Sequence, residues 1–450
     1  MERFKYYGNL EKMVEGTGEL FFKNGEKHQV SFEIAKRGEE KLLFNIVSEV
    51  DNLFDAFSLF ESDELEKIEG IDGNGRKVQL TGLVARDSTV GTKTDSKVFL
   101  NGYAGKCEIG KKVISDGFVA QFNLINFLFQ GNLRKIEKKG NRKKVSFPTL
   151  KLTFKDFECR ITKSDDYDVV KQILKRQGGV INTSTLIAKV SSNDEYDFIQ
   201  EKVSKLCQLL SVGRSTFINW STCKIKDSEG NITYELHGNA HTRSFHGNAL
   251  IRNVTKETEW FLKNAWQAYD KYKDIFDMKR FLYGYADTYM NSFIETRSLN
   301  IAVLTDNLSS RWAISERRNI FIEEEVFTKK LSRLKSGVQA LLKAEFENIK
   351  DYYLQAMVSK IKGFNRRPLD WKLKRICKAF NCPVSDDEIQ DFIYIRDSLA
   401  HTSLFPKDVD SIEAFLFLRH FLDRILLSIM GYSGRYFDME NQTEKIFRSS

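Results

Sequence analysis

Proline and cysteine are scarce in this chain, and long apolar runs are missing altogether. Four prolines in 450 residues exclude a collagen-like or proline-rich polymer. The six cysteines, at positions 107, 159, 207, 223, 377 and 382, are dispersed and form no CxxC pair. That argues against a disulfide framework and for a reducing cytoplasm. No apolar run approaches the ~18–20 residues that cross a bilayer, and the opening MERFKYYGNLEKM is too polar for a secretory leader. A soluble, cytoplasmic chain with no membrane partner is the expectation. No Walker motif, GxGxxG, HExxH or GxSxG occurs. The familiar nucleotide-hydrolysing, zinc-protease and α/β-hydrolase readings therefore lose their main support.

What is present is an ordinary globular composition, with 41% hydrophobic and 29% charged residues. At roughly 100–200 residues per domain the length corresponds to about two to four domains. The net charge of +8 permits a nucleic-acid partner without requiring one.

The chain reads as an α+β multidomain protein in three regions. Residues 1–165 are β-rich: short alternating runs at Glu19–Phe22, Gln29–Ile34, Lys41–Val47, Lys77–Leu83, Lys97–Tyr103 and Phe118–Leu128 lie between Gly, Asn and Asp punctuation. Such spacing predicts a sandwich or barrel-like module. Asp87–Lys97 is polar and reads as a loop. Arg134–Lys144 carries seven basic residues and one acid and reads either as a solvated hairpin tip or as a phosphate-contacting loop. Residues 166–256 read as an α/β connector, with a capping box at Ser192–Glu195 and a hairpin turning at Asp227–Gly230. From 257 to 450 the chain reads as helical. Two long segments, Glu257–Leu308 and Arg317–Ile361, are followed by a helix opened by the capping box Ser385–Glu388 and by another opened at Asp410. The last of these is apolar on more than one side, which suits burial in a bundle or at a subunit contact.

Candidates for chemistry are few. His237, His241 and His246, with Cys223 upstream, are zinc-ligand types, but their spacing matches no compact finger, and strand-end and loop histidines are the plainer reading. Cys377 and Cys382 have no partner ligands nearby and read as packing residues, and no metal or cofactor is implied. His28 and His420 show no catalytic neighbour. The remaining candidate is Arg396-Asp397-Ser-Leu-Ala-His401. Phe392, Ile395 and Leu399 form an apolar stripe, and Arg396 falls about 40° past its edge at 100° per residue. A guanidinium there stays charged and can aim planar donors at a phosphate. His401 lies about 140° further round and ~7.5 Å along, so the two converge only if the helix end distorts or a second subunit joins the cleft. The plainer alternative is an Arg salt bridge and a histidine favoured by the helix dipole.

Arg396-Asp397-x-x-x-His401, in a late helix of an all-helical region, resembles the Arg-x(4–6)-His motif of the HEPN superfamily. Asn291–Leu308 is similar to the long early helix of that fold, and the resemblance covers about Phe276–Tyr436. A β-rich region followed by such a domain resembles the ApeA-type proteins of bacterial anti-phage defence. The resemblance implies a C-terminal HEPN helical bundle and a metal-independent endoribonuclease, working as a homodimer on RNA (tRNA among the candidates) in abortive infection, with a phage-derived activator. His401 would move a proton, Arg396 would hold the scissile phosphate and Asp397 would orient either. The products would be a 2′,3′-cyclic phosphate and a 5′-hydroxyl. Arg366, Arg367, Lys372, Lys374 and Arg375 are candidate RNA-backbone contacts, with Phe364 or Trp371 for base stacking and the apolar final helix as a dimer surface. The alternatives are a non-catalytic module binding RNA, nucleotide or protein, and a HEPN partner of a nucleotidyl-transfer system.

Overall fold

The computed structural model describes residues 10–38, 41–49, 65–90, 97–139, 142–177, 179–238, 249–251, 255–289, 293–346 and 350–448. Two compact units divide the chain, 1–263 and 264–450.

The first unit is built on a fifteen-stranded antiparallel sheet. Its first eight strands are β1 (Leu10–Phe22), β2 (Lys27–Arg37), β3 (Lys41–Glu49), β4 (Leu65–Asp72), β5 (Lys77–Thr81), β6 (Val84–Val90), β7 (Lys97–Ala104) and β8 (Lys106–Gly110). β5 runs into β6 through Gly82 and Leu83, and β7 runs into β8 through Gly105 alone. These two long, kinked strands pair with each other, β6 on β7 and β5 on β8. β5 also pairs with β4 and β7 with β3, while β4, β1, β2 and β3 pair in series. The ladder thus returns to its starting strand, giving a barrel-like closure that hides most strand edges.

Its core alternates along each strand, as a pleated strand with one buried face must: Val30, Phe32 and Ile34 in β2, then Leu42, Phe44 and Ile46 in β3, all buried. Glycines make room for the two rings. A β-carbon at Gly70 would fall 2.7 Å from the Phe32 ring, and one at Gly102 would fall 2.7 Å from the Phe44 ring.

The other strands are β9 (Phe118–Ile125), β10 (Leu133–Lys139), β11 (Arg142–Thr153), β12 (Glu158–Lys163), β13 (Asn182–Val190), β14 (Asn219–Lys226) and β15 (Ile232–Gly238). They follow the order β10-β11-β12-β13-β9-β14-β15 and join the barrel through β15 on β8. Helices α1 (Tyr167–Gln177) and α2 (Asn193–Arg214) pack on β13, and α2 also on β14. The expected connector at 166–256 is therefore not separate. β13 and β14 flank β9, and backbone hydrogen bonds join the two segments into one sheet. Local spacing shows where strands lie but not which distant strand completes the ladder. The expected loop at Asp87–Lys97 is also partly strand, because Asp87–Val90 pairs with β7; residues 91–96 lie outside the described residues. The basic stretch Arg134–Lys144 forms an antiparallel hairpin, with Lys139 opposite Arg142.

Helix α3 (Thr255–Phe276) contains the boundary between the units. The second unit continues with α4 (Met278–Asp287), α5 (Ile294–Ser315), α6 (Glu324–Glu345), α7 (Asp351–Ser359), a 3-10 turn (Lys360–Asn365), α8 (Leu369–Ala379), α9 (Asp386–Thr402) and α10 (Ser411–Ile429). A hairpin of β16 (Gly434–Asp438) and β17 (Thr443–Phe447) ends it. The first long helical segment is broken at Asp277, whose φ of 49° is left-handed. Helix α5 is the centre, touching α4, α8, α9 and α10. Ser298, Ala302, Thr305, Ser309 and Ala313 recur on it at three- or four-residue spacing, each at most 1% exposed. Small side chains there let neighbouring axes approach closely.

Helix α10 is buried on every side from Leu418 to Met430. Its apolar surface is consumed inside the chain, so the expectation that it forms a dimer surface is corrected for that stretch. Its amphipathic pattern shows that it must be covered, not by what.

The glycine–phenylalanine fit gives a direct test. Gly70→Ala and Gly102→Ala should each overpack the barrel and destabilise the first unit by about 1–3 kcal/mol or more, read as a lower midpoint of thermal unfolding. Unchanged midpoints in both would show that the rings and the still closer backbone oxygens of Thr17 and Val84 all yield freely.

Candidate functional site

Helix α9 begins as its sequence predicts. The Ser385 hydroxyl accepts from the Glu388 amide, and the Glu388 carboxylate accepts from the Ser385 amide at 2.7 Å. The opposite oxygen of Glu388 receives Nη2 of Arg424 at 2.6 Å, tying the helix start to α10. Ile389, Phe392, Ile395 and Leu399 form the buried stripe, and Phe392 stacks on Phe421 of α10 at 4.6 Å.

Arg396 lies at the margin of this stripe, its side chain 29% exposed. Nη2 donates to Asp306 Oδ2 of α5 at 2.9 Å, and Nη1 to Asp397 Oδ1 at 2.7 Å. Burial works against the charge, but Asp397 and Asp306 outweigh it and raise the Arg396 pKa above its ordinary value. The network continues: Ser310 donates to the other oxygen of Asp306 at 3.0 Å, and Lys372 Nζ donates to the Ser310 hydroxyl at 3.1 Å.

His401 is exposed in the last turn of α9, where a protonated imidazole would complement the helix dipole. The helix stays regular past it: Thr402 Oγ1 donates to the Ser398 carbonyl at 2.7 Å, and the chain turns only at Ser403, with φ at 60°. Distortion of the helix end therefore does not bring Arg396 and His401 together. The five-residue separation still sets them about 140° apart.

The basic candidates divide. Lys374 pairs with the exposed Asp386 at 2.9 Å and Arg375 with the half-buried Glu316 at 2.9 Å, so both have acidic partners. Lys372 belongs to the Asp306 network. The Arg367 guanidinium lies over Phe321 at 3.9 Å and Trp371 at 4.9 Å. Arg366 and Phe364 are exposed. Asp306 itself was not legible in the sequence: it lies ninety residues before Arg396, and only packing of α5 on α9 joins them.

Of the zinc-ligand combination, the two described residues, Cys223 and His237, do not come together. Thr222 pairs with His237 across β14 and β15, and Cys223 pairs with Leu236, so Cys223 and His237 point to opposite faces. His241 and His246 lie outside the described residues. His237 Nδ1 sits 3.3 Å from Thr222 Oγ1, and Nε2 sits 3.4 Å from Glu235 Oε2. Hydrogen bonding to His237, with Lys224 beside it, holds Glu235 down at about 2.

His420 proves better connected than expected. Nδ1 lies 2.7 Å from Glu440 Oε2 and 3.5 Å from Asp438 Oδ1, and Nε2 lies 3.0 Å from the Tyr436 hydroxyl. His420, Asp438 and Glu440 are metal-ligand types in reach of one another, but Asp438 is already committed. It accepts from Lys445 at 2.5 Å, from the Asn441 side chain at 2.9 Å and from the amides of Glu440 and Asn441. Burial pushes its pKa up, while those donors outweigh the push and hold it at about 2.

Comparison with family models, with curated proteins and with solved structures returns no match.

The depressed pKa of Asp438 has a consequence for stability. Its folded value lies below the unfolded value near 3.9, so its contribution is full above about pH 4 and is lost as pH falls towards 2. Asp438→Asn should lower the thermal midpoint at pH 5, and the gap from wild type should narrow between pH 4 and pH 2. A gap independent of pH would show that the carboxylate charge is not what stabilises the terminal hairpin.

Proposed function

We propose that this chain is a metal-independent endoribonuclease of the HEPN type, acting as a homodimer on RNA in anti-phage defence. The observation that carries the reading is the setting of Arg396. It is a guanidinium at the rim of a packed helical core, held by Asp306 and Asp397, with an exposed histidine five residues on along one regular helix. In this reading Arg396 binds the scissile phosphate and stabilises its developing charge. His401 takes the proton of the 2′-hydroxyl or delivers one to the leaving oxygen. The 2′-oxygen attacks phosphorus, the P–O5′ bond breaks, and a 2′,3′-cyclic phosphate and a 5′-hydroxyl result. Because the two side chains diverge on one helix, the composite cleft takes Arg396 and His401 from two copies related by a two-fold axis. The β-rich unit then senses or restrains the helical one.

One observation favours a second reading, a non-catalytic module that binds RNA, nucleotide or protein. Both terminal nitrogens of Arg396 already have carboxylate partners, and a phosphate must displace one of them.

Incubation with tRNA and total RNA in EDTA, with and without lysate of phage-infected cells, separates the two. Wild type should cleave, His401→Ala should lose about 10²–10⁴-fold and Arg396→Ala about 10²–10³-fold, with both variants folded and equally oligomeric. Cleavage retained by folded His401→Ala removes that residue from the mechanism, and dependence on a divalent metal sinks the chemistry. An active monomer refutes the composite cleft. Wild type inert under every activating condition leaves the binding module.

A further inference from the structure

Besides the Arg134–Lys144 hairpin, positive charge is concentrated in one stretch of the helical unit. From Lys329 to Arg367 there are ten basic and three acidic residues, a net of +7 against +8 for all 450 residues. This segment comprises most of α6, then α7 and the 3-10 turn, and it forms a wing with a small core of its own. Leu354, Val358 and Ile361 are buried there against Leu331, Val338 and Leu342. The wing is clamped at its base. Asn365, 3% exposed, accepts from the amides of Phe321 and Ile322 through its carbonyl and side-chain oxygens, and donates to the Ile322 carbonyl at 2.7 Å. Three glutamates, Glu323 to Glu325, stand at the amino end of α6, where the helix dipole favours them. Beyond them the helix surface is cationic: Lys329, Lys330 and Arg333 are exposed, and none forms an ion pair among the described residues.

Aromatic rings accompany this charge, and they face solvent. Tyr352 is 78% exposed, Tyr353 58% and Phe364 68%. The two tyrosine rings lie 5.5 Å apart at 69°. Lys343 pairs with Asp351 at 3.7 Å, so the tyrosines lie towards the far end of α6 from Lys329, Lys330 and Arg333. Unpaired cations and open ring faces spaced along one wing are what a flexible polyanion with planar bases requires, because the cations follow the phosphates and the rings take the bases. A lipid surface calls for a different arrangement, a helix whose apolar face is free to enter the acyl region. Here Leu331, Val338 and Leu342 of α6 are already packed against Leu354, Val358 and Ile361. Binding to vesicles tests the apolar side chains that stay exposed, Leu334, Leu341 and Met357.

We infer that the α6–α7 wing is a binding surface for single-stranded RNA, tolerant of sequence, with Lys329, Lys330 and Arg333 following the backbone and Tyr352 and Tyr353 stacking on bases. The inference rests on the ribonuclease reading only for the choice of RNA as the polymer. It also relocates the RNA contact, since Lys374 and Arg375 have acidic partners, whereas Lys329, Lys330 and Arg333 have none among the described residues. From the base of the wing the chain enters α8, whose Lys372 reaches the Ser310–Asp306 network holding Arg396. RNA held on the wing is thereby delivered towards that arginine.

The test is fluorescence anisotropy with a labelled single-stranded RNA of about 20 nucleotides, longer than the site sizes usual for such surfaces. The full-length chain carries His401→Ala, so that the RNA survives the measurement. Adding K329E/K330E/R333E should weaken binding at least tenfold and flatten the dependence of log affinity on log salt by about 0.7 per lost phosphate contact. Adding Y352A/Y353A instead should weaken it about fivefold or more with the salt slope unchanged. Both variants are first matched to the parent by circular dichroism and elution volume. Unchanged RNA affinity in both folded variants overturns the proposal. Wing-dependent binding to phosphatidylserine vesicles, with RNA binding unaffected by the same substitutions, overturns it in favour of a membrane surface. Wing-dependent RNA binding in a protein whose wild type never cleaves supports the wing and removes only the ribonuclease reading.

Discussion

The second unit depends on how α10 disposes of its buried charges. From Leu418 to Met430 no residue of that helix reaches solvent appreciably, yet the run contains Arg419, His420, Asp423 and Arg424. Each must find a partner inside, because a buried charge without one costs several kcal/mol. Arg419 meets Asp423 at 3.1 Å and lies over the rings of Tyr285 and Tyr289 of α4 and its C-terminal turn, at 4.1 and 3.7 Å. His420 reaches the β16–β17 hairpin. Arg424 donates to the Pro383 carbonyl and to Glu388 at the start of α9. One helix thus fixes three neighbours, and α9 is among them. The position of Arg396, two turns beyond Glu388, is set by an ion pair at the other end of the same helix.

That arrangement separates rigidity from accessibility. The guanidinium of Arg396 is oriented by carboxylates on α5 and α9, while the imidazole of His401 stands in an exposed final turn. The first is preorganised, and the second is free to meet whatever approaches. On the proposed ribonuclease reading, a site divided in this way is completed only when a second copy supplies the missing side. The wing of α6 and α7 has the opposite character. It touches the core mainly through Asn365 and the strand-like residues beside it, and it offers charge and ring faces outward.

The barrel shows the same economy of small residues as the helical core. Gly70 and Gly102 leave space for Phe32 and Phe44, and Ser298, Ala302 and Thr305 let α8, α9 and α10 converge on α5. In both units the large side chains are placed by the small ones opposite them, so close packing depends on positions that carry little hydrophobicity of their own.

The sequence by itself determined local matters. The Ser385–Glu388 capping box, alternating strands, the Asp227–Gly230 hairpin and the placement of Arg396 beside the Phe392–Leu399 stripe all follow from interactions among residues a few positions apart, and all are found. At the expected Ser192–Glu195 box only the Ser192 cap forms, because the Glu195 carboxylate accepts from the Ser191 amide instead. Tertiary structure alone decided the rest. β13 and β14 flank β9 because strand pairing is chosen by the whole ladder, and no local spacing encodes it. Asp306 faces Arg396 because α5 packs on α9, and Cys223 and His237 part because adjacent strand residues take opposite faces once the register is set. The final helix is apolar on several sides in either view. Only the folded chain shows that its own neighbours cover it, because hydrophobic periodicity specifies a face to be buried and leaves the burying partner unspecified.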